Sequence, residues 1–83
     1  MSIQSKNNEP VSLQVTHLYN VSGTVKPSFK GFLVKNISGD DITLNVKMKD
    51  SEEYIETVFS PGWNPEQIDE IENVAAGSIQ IGY

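Results

Sequence analysis

Apolar and polar positions alternate at period two along most of this chain, which marks out strands rather than helices. Leu13, Val15, His17, Tyr19 and Val21 point one way, and Gln14, Thr16, Leu18 and Asn20 the other, predicting a first strand over residues 12–21. Ser22-Gly23-Thr24 breaks it, and Pro27 with Ser28 extends the irregular stretch. A second β-rich run covers residues 29–37, with Phe32 and Val34 on one face and Phe29, Gly31, Leu33 and Lys35 on the other. Gly31 between bulky neighbours points to a bulge or a close backbone approach. Ser38-Gly39-Asp40-Asp41 carries turn chemistry, and after it Ile42, Leu44, Val46 and Met48 alternate without a break with Thr43, Asn45, Lys47 and Lys49. This clearest strand predicts an antiparallel hairpin over residues 30–49, whose apolar row enters the core. A second polar turn at residues 50–53 leads to a strand over 54–59, so that three consecutive strands form a meander.

The period changes after Pro61. Asn64 suits a helix N-cap, Pro65 the first helical position, and Gln67 the third position of a capping box, while Trp63 and Ile68 stand where a hydrophobic staple would close. Ile68 and Ile71 share a helical face, and Glu66, Asp69, Glu70 and Glu72 stay wet. A short helix is therefore expected over residues 65–72, followed by a turn and a last strand over 78–82 carrying Ile79 and Ile81. The fold class is all-β, a small antiparallel β-sandwich or open barrel of about five strands with one short helix near Pro65–Glu72. Residues 1–11, polar and rich in Ser, Lys, Asn and Glu, read as a flexible N-terminal arm, and residues 12–83 as a single β domain.

Size limits what that domain can do alone. A chain of 83 residues buries about 63% of its unfolded surface, which allows one small core, and with no cysteine nothing covalent staples it. The net charge is −5 and all six basic residues are lysine, so the arginine forks that grip phosphate are absent and nucleic acid is not an expected partner. No stretch approaches the ~18 apolar residues of a membrane span, and residues 1–10 lack the basic and apolar regions of a signal peptide. Synthesis in the cytoplasm as a soluble protein is the expectation, which weighs against a module cut from a secreted chain.

None of the candidate chemistry makes a catalytic signature. His17 lies in line with Leu13, Val15, Tyr19 and Val21 on a face expected to be buried, with no partner to make it a general base. The acids of the two turns, Asp40, Asp41, Asp50, Glu52 and Glu53, lack the spacing of a calcium loop, and the carboxylates from Glu66 to Glu72 have that of a solvated helix face. No metal, cofactor or catalytic residue is assigned, and the protein is not expected to be an enzyme. Asn20-Val21-Ser22 and Asn36-Ile37-Ser38 match the glycosylation acceptor, inert without secretion. Lys30, Lys35, Lys47 and Lys49 could form a weakly basic patch on the hairpin, though lysine there also protects a sheet from aggregation. Tyr54, Trp63 and Tyr83 are the residues singled out as an interaction surface, with Tyr19 a further member of an aromatic platform.

Lys30-Gly31-Phe32-Leu33-Val34, Ser38-Gly39-Asp40 with the Ile42–Met48 alternation, Phe59-Ser60-Pro61-Gly62-Trp63-Asn64-Pro65-Glu66 and the terminal Ile79-Gln80-Ile81-Gly82-Tyr83 together resemble the small β-rich virion accessory proteins of tailed phages. The resemblance is nearest to those of phages and prophages of Bacteroidales, spans residues 29–83, and is one of layout with no diagnostic motif. It implies a non-enzymatic structural subunit of a virion, acting in capsid decoration or at the head-tail junction without a cofactor. The partners it implies are a second copy of the chain and a larger virion protein, with neither nucleic acid nor membrane. The capsid axes in the resemblance favour a trimer, whereas symmetry statistics favour a dimer. The alternative is a small carbohydrate-binding or adhesion module using the loop aromatics around Trp63, and a third class is an enzyme accessory subunit.

Overall fold

The computed structural model describes residues 15–83, and the expected arm over residues 1–11 lies outside them. Seven antiparallel strands make up the fold: β1 (Leu18–Asn20), β2 (Gly23–Val25), β3 (Phe32–Asn36), β4 (Ile42–Met48), β5 (Ile55–Phe59), β6 (Gly62–Val74) and β7 (Ile79–Gly82). They form one open sheet in the order β1-β7-β3-β6-β4-β5, with β2 also paired to β6. The all-β class holds, with seven strands rather than about five and no helix among the described residues.

The segment expected to be a helix is instead the longest strand, β6. Its register explains the misleading spacing. Met48 and Val46 of β4 lie opposite Ile68 and Ile71, so that three steps along β6 answer two along β4 and Asp69 is the extra residue of a bulge. The same happens against β2, where Val25 and Gly23 face Ile71 and Val74. Ile68, Ile71 and Val74 therefore share the inner face at a spacing of three, as a helix would place them, because bulges rather than helical turns separate them. Pro65 fits for a related reason. Between Asn64, opposite Val34, and Ile68, opposite Phe32, β6 has two residues more than β3, and a proline there withholds no ladder donor. A helix of eight residues is marginal by itself, whereas β6 is paired along both edges.

The expected hairpin over residues 30–49 does not form. β3 pairs with β7 and β6, β4 pairs with β6 and β5, and β6 runs between them. Asn36 at the end of β3 faces Gly62, while Asn45 of β4 faces Glu72 near the other end of β6. A straight run from Gly62 to Val74 would span ~40 Å, yet the six steps from Asn36 to Ile42 reach at most ~22 Å. β6 must therefore bend at its bulges and fold the sheet over itself, as strands do at the corners of packed sheets. Two layers share β6 and enclose one core, made of Val25, Phe32, Val34, Val46, Phe59, Ile68, Ile71, Val74, Ile79 and Ile81.

Two buried asparagines hold the β3–β4 and β5–β6 connections. Asn36 donates from Nδ2 to the carbonyls of Asp40 at 2.7 Å and Phe59 at 2.9 Å, and its Oδ1 accepts the Ser38 N–H at 2.9 Å. Asn64, expected as a helix cap, brackets the β5–β6 connection instead: its Oδ1 accepts the Ser60 N–H at 3.2 Å, and its Nδ2 donates to the carbonyls of Ser60 at 2.9 Å and Gly62 at 3.1 Å. Of the apolar row on β4 only Val46 is fully buried, while Ile42, Leu44 and Met48 pack half-buried against the core margin. The first strand is shorter than expected, and His17, placed by its pattern on a buried face, is exposed.

Candidate interaction surfaces

Tyr83, one of the three residues of the expected interaction surface, sits in an aromatic cluster that the β1–β7 pairing assembles. Tyr19 lies opposite Ile81, which puts Tyr19 and Tyr83 on the same face of adjacent strands. Tyr83 stacks on His17 with ring centroids 4.7 Å apart and on Phe29 at 4.1 Å, and Tyr19 lies parallel to it at 6.0 Å. Phe29 meets Phe32 of the core edge-on at 6.1 Å. Backbone bonds pin the assembly, with the N–H groups of Thr16 and His17 both donating to the Tyr83 carbonyl at 2.8 Å. The hydroxyl contact with Tyr19, reinforced by burial and by the charge Tyr19 would carry, raises the Tyr83 phenol above its usual range. Much of the Tyr83 ring surface is thus already spent within the chain, which lowers its value as a platform for a sugar.

Beside this cluster opens a cleft of about 440 Å³. Val25, Phe29 and Ile81 supply apolar surface, Tyr19 and Pro27 contribute to the walls, and Asn20, Ser22, Thr24 and Lys26 supply polar groups. The lining holds no histidine or carboxylate to act as a base.

Tyr54 belongs to a separate group. Its hydroxyl donates to Glu70 Oε1 at 2.8 Å, and Lys47 lies 5.0 Å over its ring while its Nζ stands 3.6 Å from the same carboxylate. The hydrogen bond to Glu70, burial and the negative charges of Glu70 and Glu72 push the Tyr54 phenol up to about 12. The same hydrogen bond holds Glu70 below the usual carboxylate range, against burial and helped by Lys47 and Lys26. Trp63 is on β6 opposite Lys35, whose Nζ lies 5.9 Å from its ring centre, and not in a loop; there is no staple with Ile68. The three residues therefore lie in different contact groups and do not form one platform.

Three of the four lysines are engaged separately: Lys47 pairs with Glu70, Lys35 lies over Trp63, and Lys30 lies 3.6 Å from Asp69. Asp69 is 7% exposed in its bulge; Oδ1 accepts the Gly31 N–H at 3.0 Å and Oδ2 the Asp50 N–H at 2.9 Å. Burial raises its carboxyl, but the two backbone donors and Lys30 outweigh it and leave the group below its ordinary range. No group of three metal-ligating side chains occurs among the described residues.

A different surface stands out at the end of the sheet. β5 pairs with β4 on one side, in register and without a bulge, and its other side is unpaired among the described residues. Ile55 and Val58 are each 58% exposed, on opposite faces of this edge. The composition of Ile55–Phe59, free of lysine, proline and glycine, was legible in the chain, but its position at an edge was not. Phe29 and Asp69 were equally unmarked as organising residues, since their partners are remote in sequence. Comparison with family models, with curated proteins and with solved structures returned no match.

Proposed function

We propose that this protein is a non-enzymatic structural subunit that works through protein–protein contacts, binding copies of itself and a larger protein of a phage virion. The observation that carries the reading is the outer edge of β5, unpaired among the described residues and exposing Ile55 and Val58. Natural proteins blunt such edges with charged side chains, above all lysine, with proline or with bulges, and of these β5 has only the carboxylate of Glu56. The virion assignment comes from the resemblance in layout. Partner contacts would also stabilise a chain with so small a core by mass action. Light scattering on the purified full chain, with mass spectrometry of intact particles, tests the reading. A homo-oligomer found in particles is expected; a strict monomer absent from them overturns it.

The second reading, a carbohydrate-binding module, is favoured by the cleft beside Tyr19 more than by Trp63, whose ring is covered by Lys35. Glycan-array binding abolished by Tyr19→Ala would establish it in place of the first.

A further inference from the structure

We infer that two copies of this chain join by antiparallel pairing of their β5 strands about a two-fold axis at Thr57, an inference that rests on the self-association proposed above. The occupant of the edge follows from the strand's own sequence, Ile55-Glu56-Thr57-Val58-Phe59. A two-fold axis perpendicular to the sheet keeps each face of the strand on the same side in both copies, so residues can oppose one another only in registers that match their parity.

Three such registers lie near the strand centre. Centring on Glu56 sets the two Glu56 carboxylates directly opposite each other, which opposes pairing. Centring on Val58 carries Pro61 into the ladder opposite Ile55, where it cannot donate, and leaves only residues 57–59 of β5 in mutual overlap. Centring on Thr57 overlaps the whole strand. It places Ile55 against the partner's Phe59 and Glu56 against the partner's Val58, and it opposes no like charges.

In this register Ile55, 58% exposed in the single chain, comes to lie beside a phenylalanine that is itself fully buried. Val58 is covered by the aliphatic stem of Glu56 on the other face. Five residues in register make a small interface, well under the ~1,200 Å² of stable complexes, so the dimer is expected to be concentration-dependent. Attachment to a larger lattice would strengthen it through effective concentration.

The register sets a test that ordinary edge chemistry does not. Val58→Lys puts each new ammonium opposite a Glu56 carboxylate, so dimerisation should tighten, by on the order of 2- to 30-fold from two cross-strand pairs, and lose the gain in high salt. Val58→Glu puts carboxylates opposite carboxylates and should weaken it by a similar factor, and adding Glu56→Lys to Val58→Glu should restore it. Sedimentation equilibrium on the full chain reads all four proteins, and circular dichroism checks that each folds, as expected for an exposed site. If the wild type associates but Val58→Lys and Val58→Glu weaken it alike, or neither changes it, the β5 register is wrong while self-association stands. If the wild type is monomeric at every concentration, self-association itself fails and this pairing with it.

Discussion

The backbone N–H of Asp50 donates to Oδ2 of Asp69 at 2.9 Å, tying the turn after β4 to the bulge in β6. Asp50 has a left-handed φ of 66°, and Gly31, which donates to the other oxygen of the same carboxylate, has a φ of 74°. One buried side chain thus braces two left-handed backbone sites, of which Asp50, as a non-glycine, is costly to hold alone. Asp69→Ala leaves both donors without their acceptor and is expected to destabilise by about 1–3 kcal/mol in denaturant unfolding. The pH dependence follows from the same contacts. Because the folded carboxyl titrates below its unfolded value of 3.8, its stabilisation is complete above that pH and disappears as the pH falls through the folded value. Asp69→Asn should flatten the acid limb of the stability curve below about pH 4.

Tyr54 should ionise late. Its phenol is raised from 10.0 to about 12, so the stabilisation from its bond to Glu70 is present below pH 10 and is lost as the pH climbs towards 12. A spectrophotometric titration should show a late tyrosinate step that vanishes in Tyr54→Phe. In Glu70→Gln it should move down towards 10.0, because the neutral amide removes the charge that opposes ionisation.

Gly82 admits no side chain. A Cβ there would lie 2.8 Å from the His17 carbonyl oxygen and 2.9 Å from Cη2 of Trp63, closer than such atoms approach. The first of these is backbone and cannot swing aside. Gly82→Ala should therefore cost about 1–3 kcal/mol, as overpacking does, with a changed Trp63 fluorescence as the local readout.

Asn64 separates the strand from the expected helix by a single substitution. A helix N-cap accepts aspartate as readily as asparagine. In the observed bracket the Asn64 Nδ2 is a donor to two carbonyls, and Asn64→Asp replaces it with an acceptor facing the oxygens of Ser60 and Gly62. A loss of about 1–3 kcal/mol in thermal or denaturant unfolding is expected near neutral pH, where a cap would show almost none. Far-ultraviolet circular dichroism should show a β spectrum without a helical component.

Local alternation was enough to find β4, β5 and β7 to within a residue or so, because side-chain direction in a strand depends only on immediate neighbours. It also identified Phe32 and Val34 as sharing a face, and both are fully buried. It could not say which strand lies beside which. β3 and β4 follow each other in the chain with a good turn between them, yet β6 runs between them, because its apolar residues cover both layers of the core. The helix signal at Asn64 to Glu72 failed for a specific reason. The bulge at Asp69 and the register shift against β2 between Ile71 and Val74 repeat the inward-facing residues at three rather than two, and a bulge is set by the partner strand's register, which no local window contains.

The interaction surface divides in the same way. The aromatic residues were visible one by one, but only the pairing of β1 with β7 stacks His17, Tyr19 and Tyr83, and only the fold sends Tyr54 and Trp63 to other contacts. By itself the sequence determined the all-β class, the absence of covalent staples and the apolar composition of residues 55–59. Tertiary structure alone decided that this segment is an edge, since whether a strand's outer hydrogen-bonding groups are satisfied depends on neighbours that arrive from elsewhere in the chain.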